Sequence, residues 1–327
     1  MPEACTSGTA PSRVVCRGGR VRRSTVAAKP RASTSENRAH DVSSRAHDAS
    51  RREVCALLSG AIAGLRAQPV LAATDDIAGA YDKYASTYDV LDGGAFARDT
   101  LGLDALRRDL LGRASGEVLE LGVGTGLNLP GYDMRRLESL TAVDISNGML
   151  AQARERADSL GLRVQTEAEW AAAKEVETQA KLLAIAAASA DGAPAPPPPP
   201  PKPKDPRPPV RLMLADAEAL PFPDGSFDCV IDTFSLCVIE NPDKALAEVK
   251  RVLRPGGTAL LIEHSKSATV PLLGAYQELT GAAVKSLAKG CAWNQDVLRL
   301  LNEAGLRVVS AEPSLLGTIT TIEATLA

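Results

Sequence analysis

The stretch "VLELGVGTGLNL", residues 118–129, runs from an apolar segment through Glu120 into three closely spaced glycines, Gly122, Gly124 and Gly126, and then into what reads as the start of a helix. Four to eight apolar residues ending in glycines are the pattern of a buried strand that turns sharply at its carboxyl end. The same kind of run recurs downstream. "SLTAVDI" ends in an acid, followed by "VRLMLAD", "FDCVIDTFSL" and "GTALLIEHS". Helical patterns separate them: "NGMLAQARERADSLG" opens on a Ser or Asn cap, and "NPDKALAEVKRVLRPGG" carries Pro242 in its first turn and stops at Pro255. Strand and helix in alternation predict a doubly wound α/β sheet. After the amphipathic "WNQDVLRLLNEAGL", the runs "RVVSAEP" and "TITTIEATLA" are separated only by residues 314–317. That is too short for a crossover helix, so these two runs are expected to pair antiparallel at the sheet edge.

In an open α/β sheet the ligand sits beyond the carboxyl ends of the strands, so the glycine turn is functional in kind. Its spacing is G-x-G-x-G. A dinucleotide fingerprint would place its third glycine where Leu127 stands, and a phosphate loop would need Gly-Lys-Ser or Gly-Lys-Thr, which the chain lacks. Glu120, at the mouth of the strand, would oppose a pyrophosphate but suits a cationic ligand without phosphate, such as S-adenosylmethionine. The second strand ends at Asp144, twenty residues after Gly124 and followed by Ile145. A carboxylate there can accept both hydroxyls of an adenosine ribose, while Ser146 and Asn147 are free to cap the following helix.

The motifs "VLELGVGTGLNLPGY", "LTAVDIS", "ADAEALPFPDGSFDCVIDTFSLCVI" and "EVKRVLRPGG", in this order, resemble class I S-adenosylmethionine-dependent methyltransferases. The likeness is strongest to the type 11 group typified by ubiquinone and menaquinone methyltransferases, and it covers about residues 80–327 outside one insertion. It implies a Rossmann-like, mostly parallel sheet of seven strands with an antiparallel C-terminal edge hairpin. It further implies that Asp216 and Ala217, with Glu218 nearby, meet the adenine, and that Thr233 and Ser235 border the methyl donor. "YDKYASTYD", residues 81–89, resembles an N-terminal helix that lids the cofactor, with Tyr84 and Tyr88 one turn apart. Residues 266–296, including Tyr276 and Trp293, fall where such enzymes build the acceptor wall. The candidate cofactor set is therefore Tyr84, Glu120, Gly122, Gly124, Gly126, Asp144, Ile145, Asp216, Ala217 and Thr233.

Methyl transfer needs alignment and a water-poor site, with a base only where the acceptor has a proton to lose. His264, the one histidine of the body, is the candidate base. A small hydrophobic or aromatic acceptor is expected. The competing readings are a noncatalytic S-adenosylmethionine-binding protein and a nicotinamide-dependent oxidoreductase, the latter disfavoured by the glycine spacing and Glu120.

Charge divides the chain. Residues 1–73 hold twelve Lys or Arg against five Asp or Glu, while the remainder is acidic and gives a net charge of −3 overall. The Arg- and Ser-rich leader reads as an organelle transit peptide, with Arg51 and Arg52 before a short apolar run resembling a twin-arginine signal. This predicts a plastid, stroma or thylakoid, with the mitochondrion as the alternative. The run is too short to span a bilayer, and the acidic body does not suit nucleic acid. Residues 165–209 form an insertion, first Ala-rich and helical, then "PAPPPPPPKPKDPRPP", a spacer or a docking tract for another protein. Cys229, Cys237 and Cys291 show no CxxC spacing and no neighbouring histidine, so no metal site is expected.

Overall fold

The computed structural model describes residues 77–91, 100–188 and 207–327; the expected leader and the polyproline half of the insertion lie outside them. The architecture is organised by β1 (Gly116–Leu121), whose side chains alternate between two apolar layers. Leu119 and Leu121 face one layer, with α6 (Pro242–Val252) and α8 (Val297–Glu303) supplying Leu246, Val249 and Leu301. Val118 faces the other, built from Leu110 and Leu111 of α3 (Leu103–Leu111) and Ala153 and Ala157 of α4 (Asn147–Ser159). A strand covered on both faces must be apolar on both, which is why these runs read as continuous rather than alternating.

Around β1 stand β2 (Leu137–Asp144), β4 (Pro209–Leu214), β5 (Phe227–Thr233) and β6 (Leu253–His264), all parallel. Among the described residues the order is β3-β4-β2-β1-β5-β6-β8-β7, eight strands rather than the expected seven. The extra one, β3 (Arg163–Val164), pairs with Pro209 and Val210 for two residues only, too few to leave a periodic signal. At the other end β7 (Leu306–Ser314) and β8 (Ile319–Leu326) form the expected antiparallel pair, joined by a 3-10 turn at Leu315–Gly317. Here β8 lies inside the sheet, antiparallel to both β6 and β7, and β7 takes the edge.

Two local expectations are corrected. No α-helix follows the glycine turn: the chain passes through turns into a single 3-10 turn at Leu129–Gly131, where Pro130 and Gly131 both oppose helix propagation. "YDKYASTYD" is not one helix either, but α1 (Ile77–Tyr84), a 3-10 turn, and α2 (Tyr88–Leu91).

The first half of the insertion is helical as expected. α5 (Glu167–Ala188) opens with a capping box, in which Thr166 Oγ1 accepts from the Glu169 backbone N–H at 3.2 Å and Glu169 Oε2 accepts from the Thr166 N–H at 2.8 Å. Lys174 pairs with Glu117 of β1, and Arg211 of β4 pairs with Glu167 and lies over the Trp170 ring at 5.5 Å. α7 (Pro271–Leu287) completes the described helices. Among the described residues no helix is long and apolar enough to cross a membrane.

Candidate functional site

The turn after β1 bends because Gly122, Gly124 and Gly126 all have positive φ, between 54° and 80°, a region that costs other residues energy. Their reasons for being glycine differ. A Cβ on Gly122 would lie 2.4 Å from Ser235 Cβ, and one on Gly126 would lie 2.8 Å from Leu129 Cδ1. A Cβ on Gly124 would meet nothing closer than the Gly122 carbonyl at 3.9 Å. Gly126 is thus a packing position, while Gly122 and Gly124 line a cavity of about 310 Å³ at the carboxyl ends of the strands.

Asp144 closes one side of that cavity. Its Oδ2 accepts from the Gly124 N–H at 2.8 Å and its Oδ1 from the Ser146 N–H at 2.9 Å. Burial pushes its carboxyl up, and those backbone donors pull it back toward the ionised form. Each anchored oxygen keeps a further lone pair for a ligand hydroxyl. Ser146 caps α4, its Oγ accepting from the Met149 N–H at 3.1 Å, which frees Asp144 from that task. Ile145, Asp216, Ala217, Glu218, Thr233 and Ser235 also line the cavity. The residues of the candidate cofactor set on this wall therefore do meet in space, and their donor set fits an adenosine with an amino-acid tail: a diol acceptor at Asp144, an open rim at Gly124, an acid at Asp216.

Glu120 does not reach it. The side chain is 1% exposed and held from within, by Asn128 Nδ2 at 2.9 Å and by the Tyr132 hydroxyl at 2.8 Å, while the same Asn128 donates to Thr233 Oγ1 at 2.8 Å. Burial raises its carboxyl to about 7 despite both donors. Glu120 fixes the base of the glycine turn rather than facing a ligand.

The lid keeps the expected Tyr88 but uses Tyr81 in place of Tyr84. Tyr81 and Tyr88, with ring centroids 6.2 Å apart, line the cavity, whereas Tyr84 lies outside the lining and packs under Lys289 at 5.1 Å. The 3-10 turn between α1 and α2 removes the shared face on which the expected pairing of Tyr84 and Tyr88 depended. Asp82 of α1 accepts from Ser146 Oγ at 2.5 Å and the Gly148 N–H at 2.8 Å, clamping the lid to the start of α4, and these donors hold its carboxyl below the usual range. A Cβ on Gly148 would lie 3.0 Å from Asp82 Cα, so the close approach needs glycine there. Asp89 ties α2 to Thr125 of the glycine turn at 2.6 Å and to Arg156 of α4. The motif "YDKYASTYD" contains Asp82 and Asp89 but points to no role for them, because their partners are 64 and 36 residues away.

His264 is also displaced from its expected role. It ends β6 behind Phe234, ring centroids 5.0 Å apart, and lies outside the cavity lining. Its Nδ1 is 3.4 Å from both Cys237 Sγ and Cys291 Sγ, so the cysteines do have a histidine neighbour, contrary to the sequence reading. The hydrogen bond from Cys291 and burial together hold the Cys237 thiol well above its ordinary range. Tyr276 and Trp293 pack edge to face at 6.0 Å, outside the same cavity. Beneath it, Asp232 and Glu263 form a buried carboxyl pair that positions the 235–237 turn: the Ser235 N–H donates to Asp232 and the Leu236 N–H to Glu263 at 3.0 Å. Burial raises Asp232 to about 6, and burial with the charge of Asp232 raises Glu263 well above the carboxylate range.

Known proteins match this arrangement. Two family models, both described as "Methyltransferase domain", match residues 172–261, for the type 11 group, and 118–191. A phosphatidylethanolamine N-methyltransferase of Cereibacter sphaeroides is 29% identical over 203 residues, 61% of this chain and 73% of that protein. The ubiquinone/menaquinone biosynthesis C-methyltransferase UbiE of Escherichia coli is 40% identical over 95 residues, 29% of this chain, and the match spans only 38% of its own length. The crystal structure of the (4+2)-cyclase SpnF covers 77% of this chain and 96% of its own at a TM-score of 0.50 with 16% identity, a likeness of fold alone. Together with the mixed sheet, these matches support a class I S-adenosylmethionine-dependent methyltransferase of the type 11 group.

Proposed function

We propose that the enzyme methylates a small lipophilic or aromatic acceptor by in-line displacement. S-adenosylmethionine supplies a methyl carbon already activated by its sulfonium, so the protein contributes alignment and exclusion of water. The observation that carries the reading is the apolar part of the cavity wall. Ile77, Ala78, Tyr81, Tyr88, Phe234 and Val238 form an apolar and aromatic surface from the lid and the turn after β5. Such a wall places an apolar acceptor against the donor and leaves a charged acceptor unpaired.

Two further features support it. α7 presents Leu272 and Leu279, each 84% exposed, on the same stripe as Tyr276, an apolar face suited to an acceptor that arrives from a lipid phase. The relatives named for phosphatidylethanolamine and for quinones act on lipophilic molecules. With His264 outside the cavity, Asp144 and Asp216 assigned to the adenosine and Glu218 bonded through both oxygens to Asn241, Glu240 is the lining acid left to take a proton from an acceptor. The plastid assignment of the leader accompanies this reading as a proposal. The test is radiolabelled methyl transfer to a panel of quinols, phenols, lipophilic thiols and aminophospholipids, against polar amino acids as the contrast. Label entering only polar acceptors would overturn the lipophilic reading.

A further inference from the structure

Three segments converge behind Phe234. Cys237 lies in the turn after β5, His264 ends β6, and Cys291 lies in the loop after α7. Cys237 Sγ and Cys291 Sγ are 3.6 Å apart, and His264 Nδ1 is 3.4 Å from each. The three atoms form a nearly equilateral triangle of two sulfurs and one imidazole nitrogen, within 4.8 Å of one another.

Those lengths match the edges of one known polyhedron. A tetrahedral zinc ion with bonds of about 2.3 Å to sulfur and about 2.05 Å to nitrogen sets its ligands about 3.8 Å apart between sulfurs and about 3.6 Å apart between sulfur and nitrogen. The observed triangle is smaller by about 0.2 Å on each edge, the tolerance expected of a genuine site. A disulfide would require the sulfurs about 2.05 Å apart. The donor set is soft, which favours zinc over magnesium or calcium. Two thiolates also neutralise the doubly charged ion, so a neutral assembly is buried rather than a charged one.

The geometry points to a zinc site formed by Cys237, His264 and Cys291, with a fourth tetrahedral position left for water or a ligand. Its placement gives it a use. Cys237 follows the cavity-lining residues Phe234 and Ser235 and precedes Val238 and Ile239, also in the lining. Cys291 follows Lys289, whose carbonyl accepts from the Tyr81 hydroxyl at 3.3 Å and whose ammonium lies over the Tyr88 ring at 4.6 Å. The ion would rivet the turn after β5 to the loop on which the lid tyrosines rest, joining two walls of the cavity. The backbone already brackets the point: the Ala292 N–H donates to the Cys237 carbonyl at 2.7 Å.

Cobalt(II) serves as the spectroscopic probe of the site. The full chain carrying Cys5→Ser, Cys16→Ser and Cys55→Ser is freed of metal, kept reduced and titrated with cobalt(II). The expected result is one equivalent bound, with a sulfur-to-cobalt band in the near ultraviolet and the intense visible bands of tetrahedral cobalt. One equivalent of zinc should erase them. Cys291→Ser and His264→Gln, both at half-buried positions, should lose or weaken the bands while keeping the wild-type circular dichroism. A spectrum without the sulfur band in the parent chain overturns the site, as do bands that survive in folded Cys291→Ser. An intact mass lower by two hydrogens under the same reducing conditions would also overturn it, marking a disulfide. This readout is independent of methyl transfer, so it stands or falls apart from the acceptor.

Discussion

Asp144 Oδ2 accepts a hydrogen bond from the Gly124 backbone at 2.8 Å, so the acid that ends β2 also shapes the glycine turn that ends β1. Charge-assisted bonds of this kind are worth about 1.5–3 kcal/mol each. Asp144→Ala is therefore expected to weaken S-adenosylmethionine binding by about 10- to 100-fold in calorimetric titration. NADH should bind neither protein. An unchanged methyl-donor affinity in the variant would remove Asp144 from the site.

Gly122 and Gly124 should respond differently to alanine. At Gly122 the new Cβ meets Ser235 at 2.4 Å on a positive-φ backbone, combining overpacking of about 1–3 kcal/mol with backbone strain of at least about 1 kcal/mol. At Gly124 only the strain applies, since the nearest atom, the Gly122 carbonyl oxygen, lies at an ordinary contact distance of 3.9 Å. Urea unfolding should show Gly122→Ala the less stable of the two by about 1–3 kcal/mol, while Gly124→Ala loses about 1 kcal/mol and loses cofactor affinity.

Glu120 gives the stability a pH signature. Its folded-state carboxyl is raised from 4.5 to about 7, so its stabilising contribution is complete below about pH 4.5 and is lost as pH rises through about 7. The loss amounts to about 3 kcal/mol at 1.36 kcal/mol per unit. Glu120→Gln keeps the shape and cannot ionise. The variant should therefore gain on wild type by about that amount between pH 4.5 and 8, read from urea midpoints. Parallel profiles would contradict the burial argument.

The lid clamp makes a separable prediction. Asp82→Ala removes the bonds from Ser146 and Gly148 that hold α1 against α4. Cofactor affinity should fall several-fold with the core melting close to wild type, because Asp82 contributes no apolar contact to either core layer. Tyr81→Phe, which loses the bond to the Lys289 carbonyl, should show a smaller effect of the same sign.

What could be read from the sequence follows the range of the interactions. β1, β2, β4, β5 and β6 declare themselves because burial on two faces demands apolar residues at every position. Asp144 is legible because one strand end and one turn, twenty residues apart, carry the whole relationship. β3 is invisible at two residues. The inward turn of Glu120 depends on Tyr132 and Asn128, which no local pattern pairs with it. The cysteine and histidine cluster is hidden for the same reason, its members standing 27 residues apart in three separate segments. The spacing of Tyr84 and Tyr88 does not give a shared cavity face because helical spacing presumes an unbroken helix, and the turn at Ala85–Thr87 breaks it.

β8 is the last of the described strands in chain order yet sits between β6 and β7. During synthesis every other described strand of the sheet leaves the ribosome before it, so a nascent chain halted short of Ile319 holds β6, with Leu260, Leu261 and Ile262, as an unpaired border. Such a border is an invitation to foreign strands. The sheet is thus sealed by its final stroke, and a frameshift in the last ten codons of this domain would leave a sticky, incomplete molecule rather than a slightly shorter enzyme.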